Sequence, residues 1–180
     1  IENSQLYAEV REKARNDELT GLLNRRSLDE VMAIEINRHA RYGGIFSLVI
    51  LDLDSFKAFN DHYGHLAGDK CLGEIGSILK NTIRSADQAF RYGGDEFAIL
   101  LPNTPIDATK GVAERVRREV AAKVIGGNIP VTTSLGVASW PASGREANEV
   151  IAAADAALYA AKRSGGNRIA VAESAQNEAL

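Results

Sequence analysis

Apolar and polar positions recur along this chain with two different periods, which separate strands from helices. Residues 45–53 are apolar on both faces, a pattern typical of a strand buried in the middle of a sheet. Elsewhere, apolar residues three and four positions apart predict helices. In chain order the pattern predicts a helix over 27–42, a strand over 45–53, helices over 55–61 and 66–84, strands over 88–92 and 96–101, a helix over 106–124, a strand over 129–139, a helix over 146–164 and a strand over 167–171.

Local signals mark several of these boundaries. Ser27 and Glu30 have the spacing of a capping box, so the first helix is expected to begin at Ser27. Gly93 and Gly94 predict a tight turn between two strands, because both glycines tolerate positive φ. Residues 17–26 are predicted to form a turn-rich connector before the first helix.

The order of the elements predicts the architecture. A strand, a helical crossover, two strands, a helix and a fourth strand form the split βαβ arrangement, here preceded by one helix and followed by a helix and a strand. The sequence therefore predicts an α+β domain with one mostly antiparallel sheet flanked by helices. We expect residues 1–15 to form a helical linker from an upstream domain, residues 16–172 to form the domain, and residues 173–180 to form a tail.

Composition and charge limit the functions open to the domain. The net charge is −3, so the surface as a whole is not suited to coating nucleic acid, and local groups have to hold any anionic substrate. The single cysteine, Cys71, excludes an internal disulfide and suits a reducing compartment. No apolar run is long enough to cross a bilayer, and no signal peptide is evident. Because the chain opens with Ile1 rather than Met, we expect a piece of a longer protein.

Two pairs of acidic residues stand at the ends of predicted strands. Asp52 and Asp54 close the strand over 45–53, and Asp95 and Glu96 lie at the Gly-Gly turn. In a split βαβ sheet this turn lies near the carboxyl end of the first strand, so the carboxylates are expected to meet at one edge. Close like charges repel, and a divalent cation that prefers hard oxygen ligands, Mg²⁺ or Mn²⁺, relieves the conflict. Two structural roles stay open, because Asp54 can cap the next helix and Asp95 can serve the turn.

The turn that follows the first strand has the features of a phosphate site. Residues 54–57 lead into a helix, whose free N–H groups and dipole attract anions. Lys57 adds a positive charge there, although a solvated surface lysine is the commoner role for such a residue.

The turn between the two acidic strands also carries a family likeness. Residues 91–97 (RYGGDEF) resemble the signature loop of diguanylate cyclase (GGDEF) domains. Four further segments resemble the same family in order and spacing: DELTGLLNRR from residue 17, LDLDSFKAFNDHYGHLAGD from residue 51, VTTSLGVA from residue 131 and ADAALYAAKRSGGN from residue 154. The resemblance implies a ferredoxin-like sheet, as in nucleotidyl cyclases and polymerase palms. It also implies that two GTP molecules are condensed into cyclic di-GMP with release of two pyrophosphates.

The resemblance assigns roles to the acidic residues. It implies that Asp52, Asp95 and the Leu53 carbonyl bind the metal. Glu96 is implied to be a further ligand or the group that helps to deprotonate the attacking 3′-hydroxyl. Asp52, Asp95 and Glu96 are therefore the expected catalytic residues. The residues expected to bind the substrate are Phe56, Lys57, Asn60, His65, Asp69 and Lys162.

Asn60 and Asp69 match the guanine contacts of the family. An aspartate accepts hydrogen bonds from guanine N1–H and N2–H₂, which adenine cannot offer, so Asp69 favours GTP over ATP. Lys57 and Lys162 match phosphate contacts. His65 matches a position near the substrate, where a purely structural hydrogen bond is an equally open role.

The final motif departs from the family at one position. The family often has Arg or Lys between the glycine and the asparagine, whereas this chain has Gly166. A phosphate contact is then missing unless Arg163 replaces it, and the departure bears on substrate affinity rather than on the reaction.

Regulation and assembly are also implied by the resemblance. Arg84 and Asp87 match the RxxD site at which the family binds its own product, and Arg115 is a further candidate for that site, with a solvated helix arginine as the alternative. Since one site holds one GTP, the reaction implies a homodimer. An upstream sensory or receiver domain is expected to control the pairing of the two copies. We expect a cytoplasmic domain in a protein that an upstream segment can anchor to a membrane.

Two other functions have to be weighed against the cyclase. A non-catalytic module that binds GTP or cyclic di-GMP is the main alternative, although the acidic residues and both guanine contacts are present. A related nucleotidyl cyclase or polymerase palm shares the metal chemistry, but the signature loop and Asp69 argue against it.

Overall fold

The structure is a computed structural model that describes residues 15–125 and 129–174. The elements in chain order are β1 (Leu23–Asn24), α1 (Arg25–Tyr42), β2 (Phe46–Leu53), α2 (Phe56–Tyr63), α3 (His65–Thr82), β3 (Gln88–Arg91), β4 (Glu96–Pro102), α4 (Ile106–Ala122), β5 (Val124–Ile125), β6 (Ile129–Pro130), β7 (Thr133–Trp140), α5 (Ala147–Arg163) and β8 (Ile169–Val171).

Six strands form the main sheet in the order β1-β3-β4-β2-β7-β8. The strand β2 lies in the middle and pairs antiparallel with β4 on one side and with β7 on the other. Only the edge pairs, β1 with β3 and β7 with β8, are parallel. The predicted split βαβ topology and mostly antiparallel sheet are therefore confirmed.

The sheet separates two hydrophobic cores. Alternate residues of β2 enter each of them: Val49 and Leu51 pack with α3 and α4 on one face, and Leu48 and Ile50 pack with α1 and α5 on the other. All four side chains are 0% exposed. This explains why β2 is apolar on both faces, since a strand covered by helices on both sides has no solvent face.

The first helix begins two residues earlier than predicted. Asn24 is its N-cap, and the Asn24 side chain accepts a hydrogen bond from the Ser27 amide at 3.0 Å. The Ser27 hydroxyl donates instead to the Arg15 carbonyl at 2.9 Å. The predicted capping box at Ser27 and Glu30 is therefore wrong, because an asparagine just upstream takes the cap.

Other boundaries differ where short pairings interrupt a pattern. The predicted connector contains β1, whose two residues pair with β3. The strand predicted over 129–139 is split, because residues 129 and 130 pair with β5 and only Thr133–Trp140 joins the main sheet. A capping box does occur at α5, between Glu146 and Glu149.

Some predictions fall outside the described residues. The predicted linker over 1–15 is described only at Arg15, and the predicted tail over 173–180 only at its first two residues. Among the described helices, none has the length and hydropathy required to cross a membrane.

Candidate active site

The hairpin of β3 and β4 brings the two acidic pairs to one edge of the sheet. Asp52 and Glu96 are directly opposite each other in the β2–β4 ladder. Beyond them, the Leu53 amide donates to the Asp95 carbonyl at 3.3 Å. The structure thus brings together the residues that the sequence predicts to meet, because β2 and β3 run parallel and their carboxyl ends lie at the same edge.

The signature loop needs glycine for a reason that the sequence analysis missed. The amides of Tyr92 and Gly93 both donate to the Glu96 carbonyl, at 2.8 and 3.1 Å. Neither Gly93 nor Gly94 has a positive φ, so the predicted reason for the glycine pair is wrong. Instead, a Cβ at Gly93 would collide with the Glu96 carboxylate, whereas a Cβ at Gly94 would meet nothing within 4 Å. Gly93 therefore makes room for the carboxylate of Glu96.

The carboxylates at this edge destabilise one another. Burial raises the pKa of Asp52 above its ordinary value, and the negative charge of Asp95 adds to the effect. Burial also raises the pKa of Glu96, with further contributions from Asp52 and Asp155. Neighbouring anions in a half-buried site disfavour the charged forms. The edge is therefore short of positive charge.

Lys162, near the end of α5, supplies part of the missing charge. Its Nζ lies 2.7 Å from Asp52 Oδ1 and opposes the rise in the pKa of Asp52. The two atoms form an ion pair, but that Asp52 oxygen has no hydrogen bond of acceptable geometry within the described part of the chain. One lysine thus compensates Asp52 only partly.

Asp54 has a structural role rather than a cap or a ligand role. Its Oδ1 accepts from the Ser134 hydroxyl at 2.7 Å, and its Oδ2 accepts from the Thr132 hydroxyl at 2.7 Å and the Asn167 amide at 2.8 Å. No side chain caps α2, so the alternative that Asp54 caps this helix is wrong. Gly166 lies against the same carboxylate, where a Cβ would be 3.1 Å from Oδ1, and its φ is +71°. A larger residue at this position would therefore be strained in this conformation.

The acidic edge fits a divalent cation that brings other ligands with it. Across residues 15–125 and 129–174, no three His, Cys, Asp or Glu side chains are close enough to form a ready-made metal cage. Mg²⁺ in phosphate chemistry is held by one or two carboxylates, with water and phosphate oxygens completing six ligands. Asp52 and Glu96, opposed and under-compensated, match this pattern.

The predicted guanine contacts lie at the junction of α2 and α3. Asn60 Oδ1 is buried and has no hydrogen-bond partner within the described residues. A Cβ at Gly68 would collide with this amide, so Gly68 leaves room for Asn60. Asp69 follows Gly68 in the chain and is exposed, as is His65 at the start of α3. A buried amide oxygen without a partner, at a junction that also carries an exposed carboxylate, is suited to a ligand rich in N–H donors.

The predicted phosphate turn leads from β2 into α2. Ser55, the N-cap, has a left-handed backbone with φ +56° and ψ +30°. Phe56 is 9% exposed and stacks with Phe59 at 5.9 Å between ring centroids, so it anchors the turn in the core. Lys57 is exposed next to it. Phe56 therefore anchors the turn in the core, and Lys57 lies on its solvent-exposed side.

A clamp that the sequence analysis missed holds the signature loop. The Arg91 guanidinium donates to the Gly94 carbonyl at 2.8 Å and to the Asp17 carboxylate at 3.0 and 3.2 Å. Burial alone would raise the pKa of Asp17, but hydrogen bonds from Thr20 and Arg91 outweigh it and lower this pKa below its ordinary value. The connector before α1 thus fixes the loop between β3 and β4. No local pattern signals a contact between residues 74 positions apart.

Asp155 is a second functional candidate that the sequence analysis missed. It lies on α5 seven residues before Lys162, a spacing that places both on the same side of the helix. Burial raises its pKa, and the Arg25 charge opposes this rise. The Arg25 guanidinium lies 4.4 Å from the centroid of the Tyr92 ring. Asp155 therefore adds negative charge behind Glu96, and Arg25 balances it in part.

Comparisons with known proteins identify the family. A family profile described as "Diguanylate cyclase, GGDEF domain" matches residues 14–168. The chain belongs to the GGDEF domain family. Diguanylate cyclase DgcP of Pseudomonas aeruginosa is 45% identical to this GGDEF domain over 166 residues, which are 90% of the chain and 24% of that protein. Diguanylate cyclase DgcM of Escherichia coli K12 is 38% identical over 172 residues, 95% of the chain and 42% of that protein. The chain thus spans less than half of the length of either relative.

A solved structure matches this GGDEF domain over nearly its whole length. The crystal structure of the coiled coil and GGDEF domain of DgcB from Caulobacter crescentus, in complex with c-di-GMP, superposes with a TM-score of 0.89. The two sequences are 31% identical, and the match covers 95% of this chain and 92% of that chain. The predicted family and fold are therefore confirmed.

The residues predicted to bind the product lie away from the acidic edge of the GGDEF domain. The Arg84 amide donates to Asp87 Oδ2 at 3.0 Å, and the Asp87 amide donates back to the Arg84 carbonyl at 3.0 Å. Asp87 is 8% exposed, whereas the Arg84 side chain is exposed. The Arg115 guanidinium donates to the Thr82 carbonyl at the end of α3, at 3.0 Å. The turn before β3 is therefore closed by two reciprocal hydrogen bonds and presents Arg84 outward.

Proposed function

We propose that this GGDEF domain is a diguanylate cyclase, which condenses two GTP molecules into cyclic di-GMP and releases two pyrophosphates. The observation that carries the proposal is the pairing of Asp52 with Glu96 across β2 and β4, beside the contact between Leu53 and Asp95. The names of DgcP and DgcM, both diguanylate cyclases, support the same reaction.

A divalent cation, Mg²⁺ or Mn²⁺, is assigned to the acidic edge. Its proposed ligands are the carboxylates of Asp52 and Asp95 and the Leu53 carbonyl, with Glu96 as a further ligand or as the group that accepts the hydroxyl proton. When bound, the cation supplies positive charge that stabilises the charge developing on the α-phosphate. The raised pKa values of Asp52 and Glu96 support this assignment, because burial and the neighbouring carboxylates both disfavour the charged forms that a cation would stabilise.

The remaining residues orient the nucleotide. Asn60 and Asp69 are proposed to bind guanine, and Lys57 and Lys162 to bind the phosphates. Phe56 supports the phosphate turn from the core. His65 begins α3 near Asn60. These contacts hold one GTP so that its α-phosphorus faces the 3′-hydroxyl of the other GTP.

The reaction then joins the two nucleotides twice. Each 3′-oxygen forms a bond to the α-phosphorus of the other GTP, and the bond from that phosphorus to the β-phosphate oxygen breaks. Pyrophosphate leaves with the electron pair, and the hydroxyl proton passes to Glu96 or to water. Because each domain holds one GTP, two copies have to face each other, and a two-fold homodimer is the proposed active form.

Control is proposed at two levels. Arg84 and Asp87, with Arg115 as a third candidate, form an inhibitory site for the product, since Arg pairs with phosphate or guanine and Asp accepts from guanine N–H groups. A sensory or receiver domain upstream of the connector is proposed to control dimer formation. The domain is proposed to act in the cytoplasm, where GTP is available.

The test is a product assay on the purified dimer. With GTP and Mg²⁺, chromatography should detect cyclic di-GMP, and one pyrophosphate should be released per GTP consumed. Glu96→Gln should reduce the rate by about 10²–10³-fold or more, because it removes a charge that acts in the transition state. Glu119→Gln, an exposed glutamate on α4, is the matched control and should retain full activity.

Two results would contradict the proposal. A dimer confirmed by light scattering that binds GTP but releases no pyrophosphate would favour the non-catalytic binding module. ATP that replaces GTP at equal efficiency would contradict the guanine role of Asp69 and favour a different nucleotidyl cyclase.

A further inference from the structure

A cavity of about 270 Å³ lies between the connector, the end of α3 and the start of β3. None of its lining residues belongs to the acidic edge. One end of the cavity includes the turn from Arg84 to Asp87. Its lining residues are Asn16, Gly21, Leu22, Leu23, Lys80, Ile83, Arg84, Asp87, Gln88 and Ala89.

The lining combines apolar walls with polar groups at the rim. Leu23 and Ile83, which are half-buried, offer apolar surface that suits the flat face of a nucleobase, and the buried Leu22 and Ala89 lie beneath them. Asp87 also lines the cavity, although it is 8% exposed and its Oδ2 accepts from the Arg84 amide. The cavity is therefore suited to an anionic ligand that contains a planar ring, such as one half of a cyclic dinucleotide.

Two cations border this cavity without a counter-ion. Lys80 and Arg84 are both exposed, and within residues 15–125 and 129–174 no carboxylate lies in ion-pair range of either side chain. Lys80 lies in the last turn of α3, four residues before Arg84. Two uncompensated cations on one rim attract a ligand with more than one negative charge.

The connector leaves space for the Lys80 ammonium. A Cβ at Gly21 would lie 2.7 Å from Lys80 Nζ, and Gly21 has a φ of +64°. Lys80 therefore extends from α3 towards the connector. A lysine in a last helical turn also interacts favourably with the helix dipole, but that interaction does not require the ammonium to reach the connector.

We infer that Lys80 is a phosphate-binding residue of the inhibitory product site, and that the cavity beside it takes one purine base of the cyclic dinucleotide. This inference rests on the proposed inhibitory site at Arg84 and Asp87 and adds a cation and a wall to it. Arg115, in contrast, has its guanidinium on the Thr82 carbonyl and does not line the cavity. Lys80 thus contributes more to product affinity than Arg115.

Calorimetric titration of cyclic di-GMP into the Glu96→Gln variant tests the inference without turnover. In that background, Lys80→Gln should weaken binding by about five- to tenfold, because a charge-assisted contact to phosphate is lost. Lys80→Arg should keep most of the affinity. The dependence of the affinity on salt concentration should become weaker in Lys80→Gln only, since fewer charges are screened.

Control variants separate this inference from the proposals on which it rests. Arg84→Ala should abolish measurable binding, Arg115→Ala should have a smaller effect than Lys80→Gln, and Lys110→Gln, an exposed lysine of α4, should have none. Unchanged affinity in Lys80→Gln, or equal losses in Lys80→Gln and Lys80→Arg, would overturn the role of Lys80 while the Arg84 site stands. If cyclic di-GMP does not bind even with Lys80 and Arg84 intact, the inhibitory site and this inference both fail. The GTP assay decides the cyclase proposal independently.

Discussion

The central strand β2 runs from Phe46 at one end of the sheet to Asp52 and Leu53 at the other. Buried polar groups are paired differently at these two ends. At the Phe46 end, His39 is 3% exposed and its Nε2 lies 3.0 Å from Glu35 Oε2. Trp140 Nε1 donates to the Arg145 carbonyl at 3.0 Å. At the Asp52 end, Asp52 and Glu96, both of raised pKa, face each other across the β2–β4 ladder, and Lys162 Nζ lies 2.7 Å from Asp52 Oδ1.

The unpaired buried atoms follow the same division. Within the described residues, three buried side-chain oxygens lack a hydrogen bond of acceptable geometry. They belong to Asp52, whose Oδ1 is nevertheless ion-paired with Lys162 at 2.7 Å, to Asn60 and to Gln88. The first two are at the proposed substrate site, and Gln88 lines the cavity of the proposed inhibitory site. None lies at the Phe46 end. Buried polar groups left without partners cost stability, so their position indicates where a ligand completes the structure.

We expect the largest effect from a substitution that neutralises the Asp52 end of β2. Asp52→Asn should reduce cyclase activity by about 10²–10³-fold, because it removes a proposed metal ligand. It should also raise the melting temperature of the metal-free protein, by about 1–4 °C, because the raised pKa of Asp52 means that its charged form destabilises the fold at neutral pH. Activity assays and calorimetry on the same preparation measure both. Undiminished product formation in Asp52→Asn would remove this residue from the metal site.

The opposite end should show the reverse pattern. Phe46 is 0% exposed and its ring is stacked on Trp140 at 5.9 Å between centroids. Phe46→Ala should cost about 3–5 kcal/mol of stability, because it leaves a cavity in the core. Below its melting temperature, the folded fraction should keep the activity per molecule of the original protein. A loss of activity in fully folded Phe46→Ala would show that the two ends are coupled.

We expect the smallest effect from Asp155, whose charge acts on Glu96 at the Asp52 end of β2. The negative charge of Asp155 contributes to the raised pKa of Glu96. Asp155→Asn should therefore lower the pKa of Glu96, and the acid limb of the activity profile should move to lower pH by less than about one unit. Profiles measured for Asp155→Asn and for Asp107→Asn, an exposed aspartate at the start of α4, should differ in this limb. Identical profiles would mean that Glu96 does not govern the acid limb.

The sequence predicted those parts of the molecule that depend on local pattern. The helices and main strands follow from periodicity, and the meeting of Asp52 with Glu96 follows from the order of those elements. Side chains alternate strictly between the two faces of a strand. Once the order of the strands is known, this alternation largely determines which residues lie opposite each other. The family likeness likewise rests on segments that are each continuous in the chain.

Contacts between distant segments were not predicted, because no local pattern encodes them. Asp54 carried the residue type and spacing of a ligand or a cap, yet donors at residues 132, 134 and 167 occupy its carboxylate. The Asp17–Arg91 clamp joins the connector to the signature loop in the same way. The helix start at Asn24 was missed because β1 holds that residue against β3. In each case several roles are compatible with the sequence, and a tertiary contact determines which of them the residue has.

The clamp also has a consequence for protein engineering. Arg91 links the connector to the backbone of the signature loop, so we expect a module fused ahead of residue 15 to act on a segment that is hydrogen-bonded to that loop. The length and stiffness of such a junction would then change the cyclase rate gradually. Flexible residues placed before residue 15, with Asp17 retained, should uncouple such a module from the loop.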